Sequence, residues 1–448
     1  MTDSTQQGPG HPHHAGRHAG GVRWMVCLML FGATTICLLN RQVFGILASD
    51  LEHRFNWNEA EYGYIVGAFQ LSYAIGMVLV GRFIDRVGTR LGYALIIGLW
   101  SLVTAAHALV HTVAAFFIVR LLLGFTEAGN FPASIKGTAE WFPASERSFV
   151  AGMINAGTNM GVIAAALLVP WLSIHYGWQS SFVVAGILGL LWSVWWWKSY
   201  RAPSEHPRLS RAELALISDA DPGEPGRASG EPPLPWIRLL GYKQLWAFTI
   251  AKGMVDPVWF FYLSWLPKLL YHEYHLSPTG LSLPLVIVFI ASDVGSVLGG
   301  WLPSLFMRWG KPLATARRMA MIPCALAALP MLYGSHLHSL WLTVSLLGLA
   351  VAAQQGWSAN VYAIASDWFP RNAVASVVGF GSMAGSLTAT LMAVVTGWVL
   401  QITGSYSSLF IYCALAYSLA FMVLQGMVPR YSRIQLPDDL QEPEASRP

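Results

Sequence analysis

The chain has 448 residues, of which 54% are hydrophobic and only 11% charged, with a mean hydropathy of +0.48. Soluble domains carry about 25% charged residues, so a water-facing surface cannot be built here and a soluble enzyme is excluded. The net charge of +4 comes without the basic patch that nucleic acid requires. Cys27, Cys37, Cys324 and Cys413 lie inside apolar runs with no metal-ligand spacing. No metal, cofactor or nucleic-acid partner is expected, and the expected surroundings are a lipid bilayer.

Residues 1–21, with His11, His13, His14 and His18, read as a disordered tail. The first apolar run follows Arg17 and Arg23, lacks an A-x-A cleavage site and extends to Leu47, so it reads as a retained helix. Runs of about 20 apolar residues, enough for roughly 30 Å of hydrocarbon, predict twelve transmembrane helices. Six fall in an N-terminal bundle (22–200): 22–47, 58–82, 90–110, 112–136, 146–172 and 176–199. Six fall in a C-terminal bundle (241–428): 242–271, 280–307, 313–334, 338–365, 371–401 and 405–428. Between them, 201–240 holds eleven charged residues and seven prolines and reads as a polar linker. Ser210 and Glu213 form a capping-box pattern before an apolar stretch, which predicts a short helix there. Residues 429–448 are a second tail.

Lys and Arg concentrate on one side: Arg82, Arg86 and Arg90 in the 2–3 loop; Arg308, Lys311, Arg317 and Arg318 in the 8–9 loop; Lys136, Arg147 and Arg371 in the 4–5 and 10–11 loops. The other side shows Arg54 and Lys268. The positive-inside rule then places both termini and the linker in the cytoplasm.

The halves resemble each other. Glu140-Trp141-Phe142-Pro143 recurs as Asp367-Trp368-Phe369-Pro370 at an offset of 227, which Gly152 and Gly379 share and which sets Glu127 opposite Gln354. Two six-helix repeats with a site between them is a transporter plan.

The segment Gly81-Arg82-Phe83-Ile84-Asp85-Arg86-Val87-Gly88-Thr89-Arg90 resembles the G-x-L-x-D-R-x-G-x-[RK] loop of the major facilitator superfamily. Gly81 and Gly88 allow close helix approach, and Asp85, Arg86 and Arg90 suit an ionic latch. The second-half loop, Gly300 to Gly310, has lost its Asp, so a latch would be asymmetric. Four further stretches are similar to the anion:cation symporter branch, and most to its bacterial hexuronate transporters: Glu127–Ala133, Asp256–Trp259 with Trp265–Lys268, Asp293–Ser296, and Gln355–Asn360. The resemblance covers all twelve spans and implies proton-coupled import of glucuronate and galacturonate across a bacterial inner membrane. Sister transporters take aldonates or other organic acids.

Arg41, Arg120, Glu127, Lys252, Asp256 and Asp293 fall deep in predicted spans, where a charge costs about 2.5–3.5 kcal/mol and marks a polar cavity or a pair. No acid shares Arg41's helix, and its planar fork of donors suits a carboxylate. The resemblance gives the Arg at this place the substrate acid. Many relatives carry Asp before this Arg and Tyr three before it. Here Asn40 and Leu38 stand there, which removes one titratable group and fits the hexuronate-type members. Arg120 and Glu127 lie two turns apart on one face, either as a proton-exchanging group with its modulating cation or as a permanent pair. Lys252 and Asp256, at i and i+4, read as a structural pair, with Pro257 breaking the helix after them. Asp293 reads as structural, either pairing across helices or holding the bundle.

Uncharged groups should complete the sugar site: Tyr73, which resembles a substrate-facing Tyr of the family, with Asn159, Gln354, Gln355, Ser358 and Asn360. Trp259, Tyr262 and Trp357 are candidates for stacking on a sugar ring, with packing the competing role. The expected protein is a monomer that holds no cofactor and couples to H+. Drug/proton antiport fits less well, because a cation exporter has little use for an unpaired Arg41. No G-x-S-x-G, H-E-x-x-H or phosphate loop supports a membrane enzyme.

Overall fold

The computed structural model describes residues 21–210 and 236–429 apart from 278, 337, 338 and 370, together with 213, 214, 217, 431 and 434. The first tail and most of the linker and last tail lie outside the described residues, as do the side chains of Asp85, Arg147 and Arg371.

The described residues form helices α1 (Gly21–Ile46), α2 (Ala48–Phe55), α3 (Glu59–Val87), α4 (Thr89–Ala106), α5 (Val113–Glu127), α6 (Asn130–Trp141), α7 (Ala144–Tyr176) and α8 (Trp178–Ser199). After the linker come α9 (Lys243–Tyr274), α10 (Ser282–Arg308), α11 (Leu313–Ala328), α12 (Leu340–Trp368), α13 (Arg371–Thr403) and α14 (Ser407–Met427). No strand occurs among the described residues. Among the described residues, nine segments are long and apolar enough to cross a membrane on their own. The other three predicted spans fall on α3, on α9 and on α11 with the 3-10 turns Leu329–His336 that extend it. Large apolar side chains such as Leu99, Ile118, Leu191 and Leu391 point outward, about half exposed or more, as lipid-facing residues do.

Local chemistry sets the helix ends. Asn58 opens α3 with a complete capping box: its side chain accepts from Glu61 N–H and Glu61 accepts from Asn58 N–H, both at 2.9 Å. Ser210 Oγ accepts from Glu213 N–H at 3.1 Å, as the linker pattern predicts. The Glu213 side chain departs from that pattern: it accepts from Arg23 N–H at 3.1 Å and ties the linker to the start of α1.

Prolines account for two departures from the predicted spans. The run 112–136 is interrupted after Glu127, because Pro132 has no N–H to offer the carbonyl of Ala128, and the chain restarts as α6. Pro257, expected to end its helix, does not: α9 runs on through both Pro257 and Pro267. The carbonyl that Pro170 leaves without a helical donor belongs to Ala166, and Ser282 Oγ donates to it at 2.6 Å from α10.

Among lipids, helices associate through close packing of small residues rather than through water exclusion. A Cβ at Gly124 would lie 2.2 Å from the Phe69 carbonyl, so only glycine brings α5 this close to α3. Helices of the two halves also touch, α3 with α13 and α7 with α10. One end of the molecule carries the linker and the Gly81–Arg90 loop; it is called the linker end below. At the opposite end α3 and α13 meet backbone to backbone, where a Cβ on Gly63 would sit 2.7 Å from the Ala393 carbonyl. Toward the linker end, a Cβ on Gly152 (α7), Gly300 (α10) or Gly379 (α13) would meet nothing within 4 Å.

Candidate functional site

The break after Glu127 leaves that fully buried carboxylate at the end of α5, facing α1. Arg41 Nε donates to Glu127 Oε2 at 3.0 Å. The Arg41 guanidinium also lies 4.8 Å from the ring centres of Phe69 and Tyr73, two rings stacked on each other along α3. Arg41 is therefore not unpaired: its acid comes from another helix, which inspection of α1 alone could not reveal. Tyr73 serves as an aromatic wall for it.

Arg120 is not Glu127's ion-pair partner. Two turns put about 10 Å of rise between them, and each side chain goes elsewhere. Arg120 is 4% exposed and lies against the rings of Phe44 and Phe69 at 4.4 and 4.9 Å, and its Nε and Nη1 donate to nothing among the described residues. It lines a small cavity with Arg41, Gln42, Tyr62, Gln70 and Ser264. Gln70 Oε1 is likewise buried without a partner, and Tyr62 OH donates across to the Ser264 carbonyl at 2.6 Å. Gln42, Gln70 and Tyr62 were not expected here. Gln42 adjoins Arg41 and Gln70 precedes Tyr73 by three, so only their neighbourhood in sequence could have marked them.

The expected C-terminal contributors separate into two groups. Gln354 is buried with Oε1 unpartnered, and Gln355 and Ser358 are half-buried on the same helix. None of the three joins the wall of the Arg41 cavity in this conformation. Asn360, expected to read sugar hydroxyls, donates its amide N–H groups to the Gly299 and Gly356 carbonyls at 2.8 and 2.9 Å and ties α12 to α10, while its Oδ1 has no partner among the described residues. Asn159 is also engaged, donating to Asp293 across the α7–α10 contact. Asp293 thus has its partner on another helix. Lys252 is 2.8 Å from Asp256 and donates to Tyr362 OH at 2.9 Å. Trp357 and Tyr262 are fully buried in the packing of the C-terminal helices.

At the linker end, Arg90 donates to the Trp197 carbonyl at 3.0 and 3.1 Å, and Arg86 is exposed. Gly81 is partly buried, and Gly88 adopts φ +88° between α3 and α4. The two acidic-Trp-Phe-Pro segments are used alike. Glu140 accepts from Thr89 and from Tyr200 OH; Asp367 accepts from Arg317 and from Tyr431 OH.

The opposite end holds a cluster that the sequence reading missed. Lys268, counted as a surface charge, is 1% exposed. Its Nζ lies 2.8 Å from Glu52 and 2.7 Å from Glu59, and His272 Nε2 is 3.5 Å from Glu52. Lys268 and His272 belong to α9, while Glu52 and Glu59 belong to α2 and α3, so the cluster fastens one half to the other.

The Major Facilitator Superfamily model matches residues 30–358 and 259–439. The chain is 28% identical over 422 residues to a hexuronate transporter of Escherichia coli (strain K12), covering 94% of this chain and 97% of that one. It is 26% identical over 420 residues to a D-galactonate transporter of Escherichia coli O6:H1, covering 92% and 97%. In fold it is similar to a D-xylose-proton symporter, with a TM-score of 0.71 at 15% identity over 92% of this chain and 100% of the other. The helical architecture, the apolar spans and these matches lead to one conclusion: the chain is a multi-pass transporter, not an enzyme, and belongs to the Major Facilitator Superfamily.

Proposed function

We propose that the protein imports hexuronates, glucuronate and galacturonate, by proton symport through alternating access. The Arg41–Glu127 ion pair at 3.0 Å carries the reading. A substrate carboxylate that seeks Arg41 must compete with Glu127 for the same guanidinium, and a proton on Glu127 removes the competitor. Anion and proton then load together, one for one, and the step is electroneutral for a monoanion. The similarity to hexuronate transporters supports the substrate class. Gln354, Gln355 and Ser358 are the groups of the second half proposed to reach the sugar hydroxyls once the halves close on it, with Tyr73 beside the acid.

On this reading the spans number twelve, the protein acts as a monomer in a bacterial inner membrane, and both termini and the linker face the cytoplasm. The Lys268 cluster then closes the periplasmic side, and the linker end is the open one. The Gly81–Arg90 loop remains the proposed gating element, with Asp85, Arg86 and Arg90 engaged when the inner side closes. A second reading, import of an aldonate, is favoured by the similarity to the galactonate transporter.

The test is proton-gradient-driven uptake of labelled glucuronate, galacturonate and galactonate into proteoliposomes. Wild type should concentrate a uronate, Arg41→Ala should not transport, and Glu127→Gln should exchange substrate without concentrating it. Galactonate uptake without uronate uptake would move the assignment to the second reading. A current carried at one proton per monoanion would refute the coupling scheme.

A further inference from the structure

The halves meet along two seams, α3 with α13 and α7 with α10. The first is closed by small residues: a Cβ on Gly63 would lie 2.7 Å from the Ala393 carbonyl, and one on Gly67 3.2 Å from the Val394 side chain. The second has the shape of a V. Toward the opposite end it is shut, and Ser282 Oγ donates to the Ala166 carbonyl at 2.6 Å. Toward the linker end it is open: Asn155 and Ala156 of α7 are exposed, and a Cβ on Gly152 or Gly300 would meet nothing within 4 Å. Asn159 and Asp293 stand at the vertex, close to the middle of α7 and of α10, and there Asn159 Nδ2 donates to Asp293 Oδ1.

As a carboxylate, Asp293 would leave this contact incomplete. Glu127 and Asp256 each have a cation within 3.0 Å. Among the described residues Asp293 has none, and its hydrogen-bond partner is Asn159 alone. An uncompensated charge at membrane depth is costly. Asn159 is 4% exposed and its Oδ1 has no partner, and a carboxylate, being an acceptor only, has no hydrogen to give it. A neutral acid has one. Its O–H donates to Asn159 Oδ1 while its carbonyl accepts from Nδ2, so the pair closes on itself without net charge. The titratable groups of the helices packed against Asp293 are engaged elsewhere. On α7, Glu146 and His175 stand on the order of 20 Å along the helix from Asn159 and bind Arg23 and the Trp171 carbonyl. On α11 and α12, Arg317 and Asp367 pair with each other, Arg318 and Cys324 donate to the Pro429 and Ala320 carbonyls, and Tyr362 accepts from Lys252.

We propose that Asn159 and a protonated Asp293 are the pivot on which α10 rocks against α7, a neutral acid–amide pair that stays made while the two ends of the seam open in turn. This rests on the alternating access proposed above and assigns its fulcrum. When the linker end shuts, Gly152 and Gly300, with no side chains between them, let the helices approach, and Ser282 gives up the Ala166 carbonyl. The vertex itself moves least. Two reciprocal hydrogen bonds hold it as a hinge, and a neutral pair costs the same in lipid in either arrangement. The α3–α13 seam, closed on glycines, is free to slide around it.

The experiment follows exchange of labelled glucuronate by the full chain in proteoliposomes. Asp293→Asn keeps a neutral, two-bond partner for Asn159 and should exchange within threefold of wild type, whereas Asp293→Leu and Asn159→Leu should each lose at least tenfold. Asn159→Cys with Asp293→Cys, joined by a short bifunctional thiol reagent, should regain at least fivefold over the unjoined protein, because a link at the fulcrum does not have to stretch. Ala166→Cys with Ser282→Cys, joined in the same way, should stop exchange. The native cysteines are buried and leave the reagent to the introduced ones. Loss of exchange in folded Asp293→Asn, or arrest by the link between positions 159 and 293, would overturn the pivot and leave the hexuronate reading intact. Infrared spectra at pH 7 supply the second measurement: wild type should show a protonated carboxylic-acid carbonyl band that Asp293→Asn lacks and Glu127→Gln keeps. Identical spectra for wild type and Asp293→Asn in that region would overturn the neutral acid. That measurement needs no substrate, so it decides the matter even if wild type exchanges no sugar acid, an outcome that would sink the substrate reading alone.

Discussion

Removing the Lys268 charge should open the end of the molecule that it now fastens. Its ammonium is fully enclosed between Glu52 at 2.8 Å and Glu59 at 2.7 Å, carboxylates whose side chains keep 14% and 22% of their exposure. Breaking a buried pair by deleting one partner costs about 3–5 kcal/mol, and the partial exposure of both acids reduces this to roughly 2 kcal/mol. Lys268→Met also leaves two carboxylates facing each other with their oxygens within 4.8 Å. Separation of the halves relieves that repulsion, so the cost falls on the closed arrangement alone. At 1.4 kcal/mol per tenfold, the balance should shift about thirtyfold toward opening. The native cysteines are all buried, so Ser264→Cys, beside the Tyr62 contact, can report the change through a membrane-impermeant thiol reagent added on that side. Its labelling should accelerate at least tenfold in Lys268→Met and stay near the control in Lys268→Arg. Equal rates in correctly folded Lys268→Met and control protein would refute the assignment of Lys268 as the fastener.

The same cluster has a defined pH response. Burial pushes the Glu52 carboxyl up, but the His272 imidazole 3.5 Å away and the Lys268 charge outweigh it and hold it below 4.5. A depressed carboxylate contributes above its ordinary value and is lost as pH falls through the folded one, so Ser264→Cys labelling, divided at each pH by that of a freely exposed control cysteine to remove the thiolate fraction, should be flat from pH 5.5 to 8 and rise only below pH 4.5. Gly124→Leu should lower the yield of folded protein and its Tm by several degrees, since even a Cβ would meet the Phe69 carbonyl at 2.2 Å and overpacking costs about 1–3 kcal/mol. Lys252→Met and Asp256→Leu should each destabilise by about 3 kcal/mol, and the double variant should recover most of that loss in a thermal melt; additive losses would show that the pair is not a unit. Asn360→Leu should loosen α12 from α10 and lower Tm while leaving the substrate KM within twofold, whereas a tenfold rise in KM would restore Asn360 as a sugar ligand.

Helix positions were legible because their cause is local. Hydrocarbon thickness, Asn58 at a cap and the apolar run lengths all act within a few residues, and the predicted spans match the observed helices to within a few positions for the most part. The break after Glu127 was legible too, in Pro132, but its effect lies four residues upstream and was overlooked. Pairings between helices were not legible. Lys252 and Asp256 could be matched because one helix holds both; Arg41 with Glu127, and Lys268 with Glu52 and Glu59, could not, because residues far apart in the chain meet only after packing. Same-face spacing suggested Arg120 for Glu127, and a neighbouring helix supplied a nearer cation. For Asn159 and Asn360 residue type alone does not decide: an amide at membrane depth reads equally as a ligand for sugar and as a clamp between helices, and here each donates across a helix contact with its oxygen left unpartnered among the described residues.

The internal repeat separates what holds the bundle from what performs transport. At the linker end duplication has kept both residue type and use: Glu140 and Asp367 each accept a tyrosine hydroxyl from just beyond the last helix of their half, Tyr200 and Tyr431, and a donor from the start of the third, Thr89 and Arg317. At membrane depth the copies diverge. The position that is Glu127 in the first half is Gln354 in the second, and the second half has closed its own charges into the Lys252–Asp256 pair. An acid and two arginines thus lie in the first half, and the second half lines the Arg41 cavity only with Phe260, Leu263 and Ser264, its buried amide Gln354 lying elsewhere in this conformation. On the proposed function this division has a physical basis. A carboxylate and a proton must be exchanged against the same charges, so Arg41, Glu127 and Arg120 have to move as one body. Hydroxyl recognition needs only hydrogen bonds, which can be made and broken as the second body rocks away. Symmetric charge on both halves would hold the anion between two cationic walls and oppose its release.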